Sequence, residues 1–345
     1  MKKLYRLLMV SISIFTLFSL LLVVKTVMER PEYLQDLNQS GQELESHFDI
    51  NDVLQKVTNS INSITGNDSA TLKADLKTAD GTGSLVEDSA QENQKATTAS
   101  TDLYTFPEEK YPYRAMLTAE QKNMYDQIYS NAAKLTSTFK VSGSLPKDQL
   151  ESVMTAVYDD HPELFWLDTS YSFGYSSKGY VVSVTLKFNS TADNISASKN
   201  RFNEIANNII AKTSGMASDL EKEKFIYKYL MNLVTYDEDS ALNQSAYSAM
   251  VNGTSVCAGY SRAFQYLMMQ VDIPCYFSSG YANNNYHAWN IVKIDGVFHN
   301  VDLSWDDSIG ESTASYSYQY FNVSDKIFSQ DHKRLDMSLK LPICY

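Results

Sequence analysis

The pattern of hydrophobic and polar positions divides the chain into four textures. Leu7 to Val24 is an uncharged, mostly apolar run of eighteen residues preceded by Lys2, Lys3 and Arg6. At helical rise such a run is about 27 Å long, close to the thickness of a bilayer core. It ends at Lys25–Arg30 without a small-residue cleavage exit, so residues 1–30 are expected to be a cytoplasmic tip and an uncleaved transmembrane anchor. The basic residues before the span would place everything after it outside the membrane. Residues 31–109 are polar and poor in aromatics, the composition of a disordered tether. Within them Ile50, Val53, Leu54, Val57, Ile61 and Ile64 recur at helical spacing and mark a candidate amphipathic helix over 50–65. That helix would serve a partner or the membrane surface, or be a transient helix in a solvated linker.

From 110 onward the pattern is that of folded protein. Thr118-Ala-Glu-Gln121 is a capping box ahead of Met124, Ile128 and Leu135. A second helix over Leu150, Val153, Met154 and Val157 must stop near Asp160-His161-Pro162, because proline cannot continue the ladder. Alternation in Tyr171–Tyr175 and Tyr180–Phe188 predicts a hairpin, and Ile205, Ile209 and Ile210 a polar helix. Ser218-Asp-Leu-Glu221 then caps a stronger helix with Ile226, Tyr229, Leu230 and Leu233. The expected division is an N-terminal α+β region over 110–215 and a second domain over 216–345.

Composition narrows the function. A formal net charge of -12 disfavours nucleic acid, whose binding rests on lysine and arginine displacing counterions. Three cysteines in 345 residues are too few for a disulfide framework, so packing holds the fold. Cys275, in an apolar stretch, is expected in a core strand, and Cys344 either free or paired with it. His161, beside the helix-ending proline, is expected as a capping or surface residue, and His47 and His332 sit in polar context.

Cys257 is different. In Ser255-Val-Cys257-Ala-Gly259-Tyr260 it stands where a loop turns into an apolar-faced helix. Free N–H groups and the helix dipole stabilise an anion there, and the thiolate is the nucleophilic form of cysteine. Ala258 and Gly259 remove bulk beside the sulfur, either for an approaching substrate or for plain helix packing. Farther on, Asp295-Gly296 between two alternating runs is a two-residue hairpin signal. With that loop, facing positions sum to 591, so Trp289 opposes Asp302, and His287 shares their face as a diagonal neighbour, about 7 to 8 Å away between backbones. His299 points to the other face. Cys257, His287 and Asp302 thus supply a nucleophile, a base and a group that orients the base.

These motifs resemble the transglutaminase-like superfamily: Val256-Cys257-Ala-Gly259-Tyr260, His287-Ala-Trp289-Asn290, and Asp295-Gly296 leading to Val301-Asp302-Leu-Ser-Trp305-Asp306. The lead-in Leu233-Val-Thr-Tyr236-Asp237 is similar too, and together they cover about 90 residues. Residues 111–214, with Asp159-Asp160-His161-Pro-Glu-Leu-Phe-Trp166, resemble the part found beside such domains in secreted or anchored bacterial proteins. One departure is Tyr227-Lys228, where relatives often carry His-Asp. The resemblance implies an α/β papain-like fold, the cysteine helix packed on an antiparallel sheet, and thiol acyl chemistry through a thioester.

Trp289 and Trp305 are candidate walls of an acyl-acceptor channel, with buried packing as the alternative, and Gly259 a candidate substrate contact. No spacing supports zinc and no EF-hand-like loop is present, so no metal or cofactor is expected. The expected partner is a protein or peptide substrate of the cell envelope. The competing reading is a catalytically silent surface module that keeps the fold for binding.

Overall fold

The computed structural model describes residues 76–86, 104–307 and 318–345. The expected anchor at 1–30 and the candidate helix at 50–65 lie outside them. Among the described residues no helix is long and apolar enough to cross a membrane. All of them belong to one compact unit, Leu72–Tyr345.

The first half contains β1 (Asp80–Leu85), α1 (Pro112–Ala115), α2 (Ala119–Ala133), β2 (Thr138–Lys140), α3 (Leu150–Asp160), β3 (Leu167–Tyr175), β4 (Val181–Phe188) and α4 (Ile195–Ala211). The second half contains α5 (Asp219–Leu233), β5 (Thr235–Tyr236), β6 (Thr254–Ser255), α6 (Cys257–Gln270), β7 (Cys275–Ala282), β8 (Asn285–Ile294), β9 (Val297–Val301), α7 (Asp325–Phe328) and β10 (His332–Arg334). One sheet has the order β1-β3-β4-β2, the other β10-β7-β8-β9, and β5 and β6 form a short parallel pair. This is a mixed α/β fold with an antiparallel sheet behind the cysteine helix, as the motifs implied.

Local chemistry sets the boundaries. At α2 the Thr118 side chain accepts from the Gln121 N–H while Gln121 accepts from the Thr118 N–H, closing the capping box. At α5 Ser218 accepts from the Glu221 N–H, but Glu221 reaches one residue farther back, to the Ala217 N–H. Helix α3 ends at Asp160, before Pro162, and buries Leu150, Val153, Met154 and Val157. The hairpin β3–β4 begins earlier than alternation alone indicates, at Leu167, because a bulge between Leu167 and Tyr171 interrupts the alternating pattern there. Asp80–Leu85 lies inside the stretch expected to be tether, yet it forms a strand. Its residues bury little themselves, which is why their composition carried no strand signal; the partner strand supplies the order.

One hydrophobic core joins the two expected regions: Val153, Met154 and Val157 of α3 share it with Leu267 and Met268 of α6 and Ile291 of β8. A polar clamp does the same. The Arg262 guanidinium of α6 bonds the Tyr158 carbonyl, approaches Asp159 at 3.4 Å and lies over the Phe277 ring. Gln265 donates to the Asp159 carbonyl, and Asp160 accepts the Tyr113 and Arg114 amides and the Tyr125 hydroxyl. His161 is buried rather than superficial, between Tyr125 at 2.8 Å and Glu163 at 2.6 Å. The acidic end of α3 therefore fixes the helix that starts with Cys257.

Candidate active site

Cys257 is the first residue of α6, after an extended Val256. The chain arrives through β6, whose pairing with β5 puts Tyr236 beside Ser255. Gly259 owes its place to packing: a Cβ there would fall 1.8 Å from the Ser255 Oγ and 2.8 Å from the Asn243 carbonyl oxygen. The missing side chain lets the helix start seat against the 243–245 loop, so the bulk it removes faces protein and not a substrate path.

The hairpin has the expected register. Asp295 and Gly296 both have positive φ, 50° and 82°, the conformation of a type I′ turn. Ile294 pairs with Val297, Val292 with His299, and Asn290 with Val301. Pairing ends at Val301, so Asp302 leaves the ladder instead of facing Trp289 within it. Its Oδ1 accepts from the Ser304 hydroxyl at 2.8 Å and the Trp305 N–H at 3.1 Å, capping the helical residues 303–307. That leaves Oδ2 toward the His287 Nε2, 2.5 Å away. The other ring nitrogen of His287 is then left for the Cys257 side chain, which lies near enough to raise the imidazole pKa.

Burial lowers the pKa of His287, but the Asp302 carboxylate and Cys257 more than offset it and raise it to about 10. Burial likewise pushes Asp302 up, and His287 foremost, with His332, holds it well below the usual carboxylate range. The result is a histidine that stays charged across neutral pH between an acid and a sulfur. An imidazolium there stabilises a thiolate, the reactive form.

Two residues at this site escaped the sequence reading. His332, buried on β10, places its Nε2 3.2 Å from the Asp302 Oδ2 and its Nδ1 2.5 Å from Asp331. Its strand adds to β7 at Gly280, where a Cβ would stand 2.0 Å from the Lys333 carbonyl oxygen. The polar sequence around His332 hid this, and Gly280 opposite His287 was the available hint. Tyr236 is the other: burial and then Cys257 raise its pKa, and its hydroxyl faces the Cys257 backbone amide without forming a well-aligned bond.

The tryptophans separate. Trp289 has no exposed surface; it packs with Val323 and Phe328, and its Nε1 donates to Asn300 at 3.3 Å. It therefore walls no channel. Trp305 is half-buried and lies 5.7 Å from the His287 ring and 4.4 Å from that of His332. Tyr227, at the departure from the His-Asp pattern, bonds Asp306 through its hydroxyl. Cys275 and Cys344 are buried and free.

Ligand atoms of His287, Asp302 and His332 lie within 4.8 Å of one another, a set that could hold a metal ion. The 2.5 Å from His287 to Asp302 is a hydrogen bond, since two ligands of one tetrahedral ion stand roughly 3.4 Å apart at the usual bond lengths.

Residues 203–303 match the family model of the transglutaminase-like superfamily. This stretch, from within α4 through β9, belongs to that superfamily. The chain is similar to kyphoscoliosis peptidase of Mus musculus, with 24% identity over 156 residues, covering 39% of this chain and 23% of that protein. For the same peptidase of Homo sapiens the identity is 23% over 137 residues, covering 33% of this chain and 21% of the relative. The chain thus spans under a quarter of the length of these relatives. Among solved structures it is similar to a TGase, with 16% identity, 56% of each chain covered and a TM-score of 0.28. The periplasmic domain of TgpA from Pseudomonas aeruginosa gives 13% identity, 39% of this chain and 55% of that one covered, and a TM-score of 0.26. The family core supports a cysteine-dependent enzymatic function.

Proposed function

We propose that Cys257, His287 and Asp302 form a thiol acyl-transfer centre that attacks a carboxamide or peptide carbonyl of a protein or peptide. The observation that carries this is the buried His287 imidazole, bonded to Asp302 at 2.5 Å and close enough to the buried Cys257 side chain for the two to interact electrostatically. The thiolate adds to the carbonyl carbon, and His287 returns a proton to the departing amine, leaving a thioester. Water or an amine then takes the acyl group, and the thiol is restored. The Cys257 N–H would hold the oxyanion, with the Tyr236 hydroxyl as the second donor, since it is buried, poorly partnered and aimed at the same amide. Asp302 and His332 keep the imidazole oriented. With the anchor expected at 1–30, the substrates in this reading are cell-envelope proteins or peptides.

The test is incubation of the full chain with a glutamine-containing peptide and a labelled amine, with peptide hydrolysis followed alongside. Label incorporated by the wild type and lost in Cys257→Ala supports transfer; hydrolysis lost in that variant supports water as the acceptor. If neither exceeds the Cys257→Ala background, the reading is wrong.

A further inference from the structure

Cys257 has no exposed surface, so an acyl donor reaches its sulfur only after a covering group moves. Val256, Cys257, Ala258, Phe277 and Ala288 form a small buried cluster, closed among the described residues by the partly buried Leu76 and Tyr236. Tyr236 is held in the β5–β6 ladder beside the start of α6. Leu76 belongs to a segment remote in sequence, the approach to β1.

That segment is attached by its backbone more than by its side chains. Strand β1 adds to β3 in parallel, from Asp80 beside Ser170 to Leu85 beside Tyr175. All six of its residues are exposed. Of the neighbouring residues only Ala79 is well buried, and the Lys77 N–H donates to Gln244. Its two glycines lie flat on aromatic rings: a Cβ on Gly81 would fall 2.4 Å from the Tyr171 ring, and one on Gly83 2.6 Å from the Phe173 ring. A cavity of about 30 Å³ remains between Leu76 and Ala79 on one side and Arg262, Phe277 and Tyr158 on the other. An exposed strand with little apolar burial, entered through residues 76–79 that lie over a void, sits at the low end of local stability. The edge it covers is also the surface on which extended peptides dock by strand addition.

We propose that residues 76–86 are a strap that occupies the acyl-donor groove in cis and closes Leu76 over Cys257. The substrate that displaces it is an extended peptide that pairs with the edge of β3, carrying small residues over Tyr171 and Phe173 and an aliphatic residue toward the sulfur. The substrate class rests on the acyl-transfer reading; the covering of the thiol does not.

The experiment compares iodoacetamide labelling of Cys257, located by mass spectrometry with Cys275 as the buried reference, in the full chain and in a full chain lacking residues 76–86. Removal of the strap is expected to speed Cys257 labelling by about tenfold or more, the factor that 1.4 kcal/mol gives. The double variant Gly81→Val, Gly83→Val, whose side chains would force the two rings aside, is expected to act in the same direction and to speed amide exchange at 80–85. It decides the matter if the deletion does not fold. A synthetic peptide of residues 76–86 added to the deletion chain should restore slow labelling, and the same peptide with valine at both glycine positions should not. Unchanged Cys257 labelling in the folded deletion chain overturns the strap, as does equal protection by the two peptides. Faster labelling without amine incorporation or hydrolysis would leave the strap standing and remove the enzymatic reading; normal turnover with labelling indifferent to the deletion would do the reverse.

Discussion

Asp302 and Asp306 lie one helical turn apart, both buried, and their pKa values move in opposite directions. Burial pushes both up. At Asp302 two histidines at 2.5 and 3.2 Å reverse the effect and hold it well below the usual range. At Asp306 burial prevails and the carboxyl is raised to about 7, although the Tyr227 hydroxyl and the Gln319 and Tyr320 amides all donate to it. The neutral donors to Asp306 lower its pKa by less than burial and the charge of Asp302 raise it, whereas at Asp302 the charged imidazole tips the balance. One turn of chain thus separates an acid built to orient a charged imidazole from an acid built to tie Gln319 and Tyr320 to α5.

Substituting each acid by its amide gives the largest contrast. Asp302→Asn keeps the shape but removes the charge opposite His287, and acyl transfer is expected to fall by about a thousandfold or more. Asp306→Asn keeps an acceptor for both amides and faces no reacting group, so turnover should stay within about threefold of the wild type, the scale of effects unrelated to the transition state. The measurement is amine incorporation or peptide hydrolysis under saturating substrate. Similar losses in both variants would mean that Asp302 serves the fold alone.

That Asp302 was legible in the sequence and Asp306 was not has a physical basis. Period-two alternation and the Asp295-Gly296 turn fix register, and register determines which residues share a face, so the approach of His287 to Asp302 could be derived. The start of α6 was equally readable, because the loop-to-helix switch at Cys257 is local. What lay out of reach were contacts made by chain returning from elsewhere. His332 arrives on a short edge strand admitted by Gly280, Tyr236 through a two-residue ladder, and Leu76 on a strand whose own residues bury almost nothing. Trp289 stayed open between a channel wall and buried packing for the same reason: the residues that bury it, Val323 and Phe328, come from later in the chain. Gly259 stayed open between room for substrate and helix packing because the 243–245 loop that fills that space carries no periodic signal.

His332 sharpens the comparison at intermediate size. His332→Gln removes one of the two histidine neighbours of Asp302 but leaves His287 in place. Turnover is expected to fall by about tenfold to a hundredfold, the usual cost of losing an orienting partner, with little change in KM. A role in packing alone would not move the pH profile. Loss of a group that lowers the Asp302 pKa should shift the acid limb of the profile to higher pH. An unshifted limb would assign His332 to the fold.

The smallest effect is on stability, and its sign differs between the two acids. Asp302 has a depressed folded pKa, so its contribution is present above the unfolded value of 3.8 and is lost as pH falls toward the folded one. Asp306 has a raised folded pKa, so its contribution is full below 3.8 and is lost as pH rises through about 7. Other buried acids, Asp159 raised to about 6 and Glu223 to about 8, add to the same decline, so only the difference between variant and wild type isolates Asp306. His287, raised from 6.5 to about 10, contributes fully below 6.5 and loses its part above it, which Asp306→Asn leaves untouched. Thermal unfolding at about pH 4.5 and about pH 7.5 should therefore show Asp306→Asn gaining relative to the wild type as pH rises, by a few degrees at about 2–4 °C per kcal/mol. Asp302→Asn should instead regain ground on the wild type only as pH falls below 3.8, where the wild-type carboxyl loses its contribution. Parallel curves for the two variants would show that the two carboxyls, despite their different neighbours, ionise alike.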